Sequence, residues 1–346
     1  MLMKSIRELA WNVSEEEYRR DKAFSYSTLS AFLKEGPEIL VHKERVDTDS
    51  LRFGSLVDCL ITEPETLNER FLISDFKKPS EKVINILNSI WDSLENPEDD
   101  LTKVDDSTIL RACEKYDYCS NYKDSTKLKY LMEGKEYFRL LTIKDNKILI
   151  SQEDYELAED CVNELQTNPF TANIINVSND PMVEDLYQLK FKTSLKIQDA
   201  IIPVRCMFDK IRVDHSKKII YPFDLKTTSK KEFKFGSSAI EWNYYIQATL
   251  YRDILLKIIA EDSYFSDFTV DPFRFIVINR YKRKPMLWRY DQDNYLYRTL
   301  LERKGYKDYI ELLYDANWHM TTGRFDYPRS VYINNGELEM NIEQYL

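Results

Sequence analysis

Three short segments within residues 205–251 dominate the interpretation of this chain: RCMFDKI (205–211), YPFDLKTTS (221–229) and NYYIQATLY (243–251). The second segment continues an apolar run from Ile219, and the alternation of its side chains predicts a β-strand. Successive side chains of a strand point to opposite faces, so Asp224 and Lys226 are expected side by side on one face. The sequence therefore places a carboxylate next to an ammonium group in an apolar strand.

The surroundings of Asp224 separate it from similar triplets elsewhere in the chain. An acidic residue two positions before a lysine is most often a solvated pair. It also occurs at Asp75, Glu133, Asp145, Glu232 and Glu302. Asp224 alone follows a second apolar strand ending in an acid, Asp209, and precedes a predicted helix that carries Gln247 and Tyr251 one turn apart. The whole group, more than the triplet, indicates a functional site.

This group suits the metal-assisted hydrolysis of a phosphodiester. Mg²⁺ prefers a few hard oxygen ligands and keeps several of its own waters. Asp209, Asp224 and the backbone carbonyl of Leu225 could supply those oxygens. A lysine near the metal can orient the attacking water and neutralise charge that develops on the phosphate. We therefore predict a metal site at the two aspartates and a catalytic role for Lys226.

With these residues the chain resembles the PD-(D/E)XK nuclease superfamily, and within it the branch of RecE (exodeoxyribonuclease VIII), phage lambda exonuclease and the RecB nuclease domain. QATLY (247–251) matches the glutamine-x-x-x-tyrosine motif of that branch. Further segments similar to RecE-type phage proteins are YSTLSAFLKEGP (26–37), LRFGSLVDCLI (51–61), VEDLY (183–187) and FIVINRYKRKPMLWRYD (275–291). The resemblance covers most of the chain from about Tyr26 to the mid-290s, with a poorly matching section at 81–144.

The resemblance implies an α/β fold with a restriction-endonuclease-like core, a central mixed β-sheet flanked by helices, and helical embellishments in the N-terminal and middle parts. We expect a single nuclease domain over 1–346. Its parts would be a mainly helical section at 1–170 that carries Asp58, a catalytic core at 180–295, and a C-terminal helix and cover at 296–346. The region 81–144 has no assigned role. It could form an arch that separates the strands, or it could form a contact between protomers.

The implied activity is a Mg²⁺-dependent exodeoxyribonuclease, with Mn²⁺ as an alternative metal, that degrades the 5′-ended strand of linear duplex DNA. Its products would be 3′ single strands for annealing or recombination. Relatives form rings, so a homo-oligomer and a single-strand annealing protein are the expected partners, besides double-stranded DNA ends. Two alternatives stay open: an endonuclease or single-strand-directed nuclease with the same site, and a catalytically inactive protein that binds DNA ends.

Two further site residues come from the resemblance. The segment matching LRFGSLVDCL usually carries a histidine metal ligand, whereas this chain has Asp58, a harder ligand that could still complete a Mg²⁺ or Mn²⁺ site. The alternative is that Asp58 lies on the polar side of a helix. Thr48 or Asp49 can cap that helix, and its core face would be Leu51, Leu56, Cys59 and Leu60. Glu184 occupies the place of a glutamate that helps bind a metal-bound water, although the neighbouring Asp185, or a merely solvated charge, fits as well. Gln247 and Tyr251 would position the scissile strand or support the lysine. The alternative is an ordinary polar stripe on an amphipathic helix whose core face is Ile246, Leu250, Ile254 and Ile258.

The net charge of −10 is unfavourable for binding to the negatively charged backbone of DNA. DNA affinity depends on the local field, so an acidic surface elsewhere can coexist with a basic channel. Ser27, from the resemblance, and Arg52, Thr227, Lys230 and Lys231 are the predicted DNA contacts. Further channel candidates, each of which could equally be a solvated face, are Lys226, Lys234, Lys43, Arg45, Arg280, Lys282, Arg283 and Lys284.

Composition excludes several other classes. The 7 glycines include no phosphate-binding loop motif, so no nucleotide cofactor is expected. The 5 cysteines match no zinc spacing, and Glu35-Gly36-Pro37 stands where related nucleases with an iron-sulfur cluster have a cysteine, so no cluster is expected. No apolar run of membrane-spanning length or signal peptide is evident, and we expect a soluble, cytoplasmic protein.

The coarse secondary structure expected around these motifs is mostly helical outside the core. We predict helices within 1–46 and over 81–95, 152–166 and 296–313. The core sheet should begin near Glu184, and the strand 273–281 should return to it.

Overall fold

The computed structural model describes residues 3–42, 48–95, 99–294, 301 and 304–338. The strands are β1 (Phe71–Ser74), β2 (Ile148–Ser151), β3 (Val183–Ile197), β4 (Ala200–Asp214), β5 (Ile219–Thr228), β6 (Thr269–Val270), β7 (Phe273–Asn279) and β8 (Met286–Tyr290). The helices are α1 (Glu15–Arg20), α2 (Tyr26–Glu35), α3 (Asp49–Thr62), α4 (Leu67–Arg70), α5 (Glu81–Ser93), α6 (Asp106–Lys115), α7 (Asp124–Leu131), α8 (Lys135–Leu141), α9 (Gln152–Thr167), α10 (Ala172–Ile175), α11 (Phe235–Glu241), α12 (Tyr244–Ala260), α13 (Tyr309–Thr322) and α14 (Arg329–Ile333).

The chain divides into two compact units. One unit combines Met1–Val46 with Leu165–Leu346, and the other is Asp47–Glu164. The section at 1–170, which is predicted to be mainly helical, contributes residues to both units, and the single nuclease domain over 1–346 stays a prediction. Asp58 belongs to the second unit, whereas Asp209 and Asp224 belong to the first.

A mixed sheet forms the centre of the first unit. Its strand order is β3-β4-β5-β7-β8, with β6 also paired to β5. Strands β3, β4 and β5 are antiparallel neighbours, β5 and β7 are parallel, and β7 and β8 are antiparallel. The predicted architecture of a mixed α/β fold with helices against a central sheet is confirmed at this level, including the start of the sheet at Val183.

Helix α12 lies in the connection between the parallel strands β5 and β7, and it packs its apolar face on the sheet. Ile246, Leu250 and Ile254 are fully buried, as the helical periodicity predicts, but the last core position is Ile259 instead of Ile258. Burial of one such aliphatic side chain stabilises the fold by roughly 1.5–3 kcal/mol. Packing therefore fixes the rotation of α12, and with it the direction of its polar residues.

The C-terminal helix differs from the sequence prediction. Residues 304–308 form a turn, and α13 begins only at Tyr309, where the Asp308 carboxylate accepts a hydrogen bond from Glu311 N at 2.9 Å. Gly305 has a φ of 73°, a left-handed conformation that glycine tolerates and a continuing helix does not. The predicted helix 296–313 is therefore wrong across 304–308; residues 295–300 and 302–303 lie outside the described part.

The second unit has its own apolar core, built mainly from the region that had no predicted role. Helix α5 begins after its Ser80 cap and buries Val83, Leu87 and Ile90, which confirms the predicted amphipathic helix. Strands β1 and β2 form a parallel pair from Phe71↔Ile148 to Ser74↔Ser151. The core contains side chains of α5, α6 and α8, so much of 101–144 is explained structurally.

Helix α3 in this unit carries Asp58. Thr48 caps it, since its hydroxyl accepts a hydrogen bond from Leu51 N at 3.2 Å, in agreement with the predicted start. Leu56 and Cys59 are fully buried as expected, whereas Leu51 is 56% exposed.

Among the described residues of the whole chain, no helix has the length and apolar character needed to cross a membrane.

Candidate active site at the end of strand β5

Strand β5 changes its partners at the point where the predicted site begins. Its antiparallel pairing with β4 is formed up to Lys210↔Phe223, and its parallel pairing with β7 extends on to Thr228↔Asn279. On the β4 side, Leu225 N donates to the Asp209 side chain, Leu225 N to Asp209 Oδ2 being 2.8 Å. The carboxylate of Asp209 is thereby held against the backbone of β5 beside Asp224.

Asp224 is the centre of the site. It is 3% exposed, and its Oδ1 accepts a hydrogen bond of 2.5 Å from Gln247 Nε2 on α12. Its Oδ2 lies 2.5 Å from Lys226 Nζ, in an ion pair. Asp224 and Lys226 thus lie on one face of β5, as the alternation of the strand predicts. Both oxygens of the Asp224 carboxylate are in contact with protein groups.

The charge of Lys226 is strongly stabilised. Burial by itself would lower the pKa of its ammonium group, but the Asp224 carboxylate, followed by Tyr244, Asp209 and Tyr26, raises the pKa above its ordinary value. Nζ also lies 4.8 Å from the centroid of the Tyr244 ring, a cation–π contact. Its carboxylate neighbours therefore favour the protonated form of Lys226, which can donate hydrogen bonds and neutralise negative charge.

Two tyrosines beside Lys226 were missed by the sequence prediction. Tyr244 begins α12, and burial raises the pKa of its phenol, as it does for Tyr26 on α2. Tyr26 is held by its hydroxyl, which donates to Trp242 O at 2.5 Å. Tyr244 stands three residues before Gln247, on the same side of a helix, which was an available signal. Nothing local in the sequence indicates Tyr26, because its position depends on a distant part of the chain.

The two residues of the glutamine-x-x-x-tyrosine motif have different surroundings. Gln247 contacts Asp224, and its Oε1 is buried with no hydrogen bond to any residue that the structure describes. The ring of Tyr251 packs edge to face on Phe208, with centroids 5.3 Å apart, and against Phe273. Burial raises the pKa of Tyr251 well above its ordinary value. Gln247 therefore acts on the carboxylate directly, whereas Tyr251 belongs to the core beneath it.

Glu184 does not join this group. It pairs with Val213 in the β3–β4 ladder, four residues from Asp209 along β4, which corresponds to roughly 13 Å. Its carboxylate accepts hydrogen bonds from Ser5 Oγ and from Ile6 N at 3.3 Å, and His215 Nε2 lies 3.8 Å away. Glu184 thus anchors the N-terminal segment, and its role with a metal-bound water stays a prediction.

The residue that the register places opposite Asp209 is Gln188. In the β3–β4 ladder, the pairs Tyr187↔Lys210 and Leu189↔Phe208 lie on either side of this position. Gln188 has a φ of 51°, a conformation that costs a non-glycine residue about 1–3 kcal/mol. No sequence signal indicates this residue, because a strained backbone follows from the register of two long strands.

The predicted DNA contacts are distributed over both units. Thr227 is half-buried on β5 beside Lys226, Lys230 pairs with Glu241, and Lys231 is exposed. Ser27 is exposed near the start of α2, its hydroxyl 3.0 Å from that of the capping Ser25. Arg52, which is buried, and Asp58 lie on α3 in the second unit, and their roles stay predictions. Lys43 and Arg45 lie outside the described residues.

The residues present fit a hard divalent cation as a partial ligand shell. Across 3–42, 48–95, 99–294, 301 and 304–338, no group of three or more His, Cys, Asp or Glu side chains is arranged to hold a metal. The two carboxylates meet at β5, where Asp209 accepts a hydrogen bond from Leu225 N and Asp224 contacts Gln247 and Lys226. Mg²⁺, which keeps several waters, requires no more than such a set.

No family model matches the chain, and no curated protein matches its sequence.

Proposed function

We propose that this protein is a metal-dependent DNA nuclease of the PD-(D/E)XK class. The observation that carries the proposal is the continuous set of contacts along β5, in which Gln247 and Lys226 hold the two oxygens of Asp224 and Asp209 binds the intervening Leu225 N. The mixed sheet flanked by helices agrees with the fold that the resemblance implies. The pKa of Lys226, raised by its carboxylate neighbours, supports a role as a fixed cation.

Asp209, Asp224 and the Leu225 carbonyl would hold Mg²⁺ or Mn²⁺. When bound, such an ion polarises the phosphoryl oxygen and lowers the pKa of a water. Lys226 donates hydrogen bonds to the attacking water and to the phosphate oxygens on which negative charge develops. Gln247 keeps the Asp224 carboxylate in one orientation, and Tyr244 keeps the ammonium group of Lys226 above its ring.

The specificity we propose is exonucleolytic removal of the 5′-ended strand from linear duplex DNA, leaving 3′ single strands. The direction of digestion, a ring-shaped oligomer and an annealing partner rest on the resemblance. Asp58 is proposed as an additional ligand on the same ground, since it takes the place of the usual histidine.

The direct test is digestion of linear duplex DNA that carries a label at one 5′ or one 3′ end, in Mg²⁺ and in Mn²⁺. Wild type is compared with Lys226→Ala and with Lys196→Ala, an exposed lysine of β3 that serves as the matched control. Early release of the 5′ label by wild type and Lys196→Ala, but not by Lys226→Ala, is expected. Cleavage of closed circular DNA would mean that the enzyme is an endonuclease instead of an exonuclease. Absence of any cleavage would overturn the proposed activity.

A further inference from the structure

Three aromatic side chains are exposed close to the end of β5 that carries Lys226. Phe233 and Trp242 are 56% and 48% exposed and lie in the segment between β5 and α12, and Tyr281, 57% exposed, follows β7. None of the three was singled out in the sequence. Exposed large aromatic rings lose favourable burial energy, so a group of them at one end of a sheet requires an explanation.

Hydrogen bonds join the segments that carry Phe233 and Tyr281. Arg280 N donates to Thr228 O at 2.9 Å, and Asn279 Nδ2 donates to Lys230 O at 2.7 Å. The same asparagine accepts hydrogen bonds from Tyr281 N and Lys282 N through its side-chain oxygen. The turn after β7 is therefore fixed against the turn after β5.

Trp242 is attached to the same place by two other contacts. Its neighbour Glu241 pairs with Lys230 in the turn after β5. Its own carbonyl accepts the hydrogen bond from Tyr26, whose phenol lies within electrostatic range of Lys226. The backbone at Trp242 is therefore fixed to the turn after β5 and to Tyr26.

A cation accompanies each ring. Lys34 Nζ lies 3.9 Å from the Trp242 ring, Lys231 Nζ lies 5.7 Å from the Phe233 ring, and the Arg280 guanidinium lies 5.5 Å from the Tyr281 ring. Lys282 and Lys284 are exposed in the same turn after β7. Within the described residues, no acidic group forms an ion pair with Lys231, Lys282 or Lys284. We call Phe233, Trp242, Tyr281, Lys34, Lys231, Lys282 and Lys284 the aromatic–basic surface.

We propose that the aromatic–basic surface binds single-stranded nucleic acid, with bases stacked on the rings and phosphates beside the lysines. Rings offer a stacking face to any base, and the adjacent cations neutralise the backbone, which together give sequence-tolerant binding. The cation beside each ring complements the phosphates of a nucleic acid, which favours this partner over an apolar protein surface. The inference rests on the proposed nuclease function, because the aromatic–basic surface would hold an unpaired strand next to Lys226.

The test measures binding without cleavage, by fluorescence anisotropy of a labelled oligothymidine in EDTA. Trp242→Ala is expected to weaken binding about tenfold, and the triple alanine variant of the rings at least about 100-fold. Trp242→Phe should keep most of the affinity. Phe170→Ala, which removes an aromatic ring that is 69% exposed in another segment, is the matched control and should bind like wild type.

An oligomer of abasic sites separates stacking from charge. The ring variants should bind it as weakly as wild type does, because it has no bases to stack. An equal loss of affinity for the abasic oligomer and for oligothymidine would overturn the stacking role, as would full affinity in the triple variant or no binding by wild type. A parallel oligouridine titration shows whether DNA or RNA is the preferred strand.

This experiment is independent of the digestion assay. Ring-dependent binding with no cleavage of any DNA would leave the aromatic–basic surface standing while the proposed nuclease function fails. Cleavage by wild type together with ring-independent binding would support the proposed nuclease function and overturn the role of the aromatic–basic surface.

Discussion

Two buried groups of acid and lysine lie in the same sheet, and they differ in how completely their polar atoms are used. The Asp224 cluster consists of Asp224, Lys226 and Gln247 at the end of β5. The Asp185 cluster consists of Asp185 on β3 with Lys210 and Arg212 on β4. Both contain residue types that a sequence reader could assign to a metal site.

The Asp185 cluster is saturated by protein groups. Lys210 donates to Ile175 O at 3.2 Å and lies 2.9 Å from the carboxylate of Asp185, whose side chain is fully buried. Arg212 donates to Asp185 through two nitrogens and to the carbonyls of Asn173 and Asn176. The cluster therefore fastens α10 and the residues after it to the sheet. It has a structural role.

The Asp224 cluster is less completely enclosed by protein groups. Gln247 Oε1 is buried without a hydrogen bond from any described residue, and the Lys226 side chain is 20% exposed, against 4% for Lys210. The pKa values of the two lysines also differ: burial lowers the pKa of Lys210 to about 8, whereas the Asp224 carboxylate raises that of Lys226 against the effect of burial. An acid next to a lysine is common to both clusters, so the amide oxygen of Gln247 and the exposed part of Lys226 are what set the candidate site apart.

The largest expected effect is on catalysis in the Asp224 cluster. Lys226→Met should lower kcat for DNA cleavage by about 100- to 10,000-fold, because the charge that neutralises the developing phosphate is removed. Thermal melting should show a folded protein. Cleavage within about threefold of wild type would show that Lys226 is as structural as Lys210.

The corresponding change in the Asp185 cluster should act on stability instead. Lys210→Met leaves the buried carboxylate of Asp185 with one cation fewer and should cost about 3–5 kcal/mol in the free energy of unfolding, measured with urea. Cleavage per folded molecule should stay near that of wild type. A large loss of kcat in fully folded protein would mean that the two clusters are coupled.

The two residues of the glutamine-x-x-x-tyrosine motif, Gln247 and Tyr251, should differ in their effect on cleavage. Gln247→Leu should reduce metal-dependent cleavage about 10- to 100-fold, as expected when the partner of a ligating carboxylate is removed. Tyr251→Phe keeps the ring that packs on Phe208, so its cleavage rate should change by less than about threefold. Steady-state rates over a range of Mg²⁺ concentrations measure both. A larger effect of Tyr251→Phe would give its hydroxyl a role beyond packing.

The smallest effect concerns Asp214, a carboxylate at the end of β4 whose hydrogen-bond partners are all close in sequence. Although burial opposes the charge, hydrogen bonds from Lys217 and Ser216 lower the pKa of Asp214 to about 2. Because the folded value lies below the unfolded one, this stabilisation is complete above about pH 4 and is lost as the pH falls towards 2. Asp214→Asn should cost about 1–2 kcal/mol at pH 7, the exposed Lys217 limiting the gain.

Urea titrations of Asp214→Asn and wild type at pH 7, 4 and 2.5 check this dependence. The difference between the two proteins should shrink at the lowest pH. A difference that is independent of pH would assign the loss to packing instead of charge.

Parts of the fold and site that depend on local periodicity could be predicted from the sequence. The shared face of Asp224 and Lys226 follows from strand alternation, and α5 follows from its apolar spacing and its serine cap. The position of Glu184 could not be predicted, because it depends on the register of β3 against β4 and on the N-terminal segment that its carboxylate binds.

Long-range contacts account for the other differences. Tyr26 reaches Lys226 because Phe24 N bonds to Pro203 O and Arg205 N bonds to Phe24 O, which attaches the segment before α2 to β4. No local pattern encodes that attachment. The break in the predicted C-terminal helix could have been anticipated, since a lone glycine at 305 is a common helix terminator.

We propose that the Asp224 cluster, and not the Asp185 cluster, binds a divalent metal. A titration with Mn²⁺, in which free Mn²⁺ is followed by electron paramagnetic resonance, tests this with wild type, Asp224→Asn and Asp185→Asn, each with its folded fraction determined. We expect folded Asp185→Asn to bind Mn²⁺ like wild type and Asp224→Asn to bind at least about tenfold more weakly. Equal Mn²⁺ affinity of wild type and Asp224→Asn, or no binding by wild type, would contradict it.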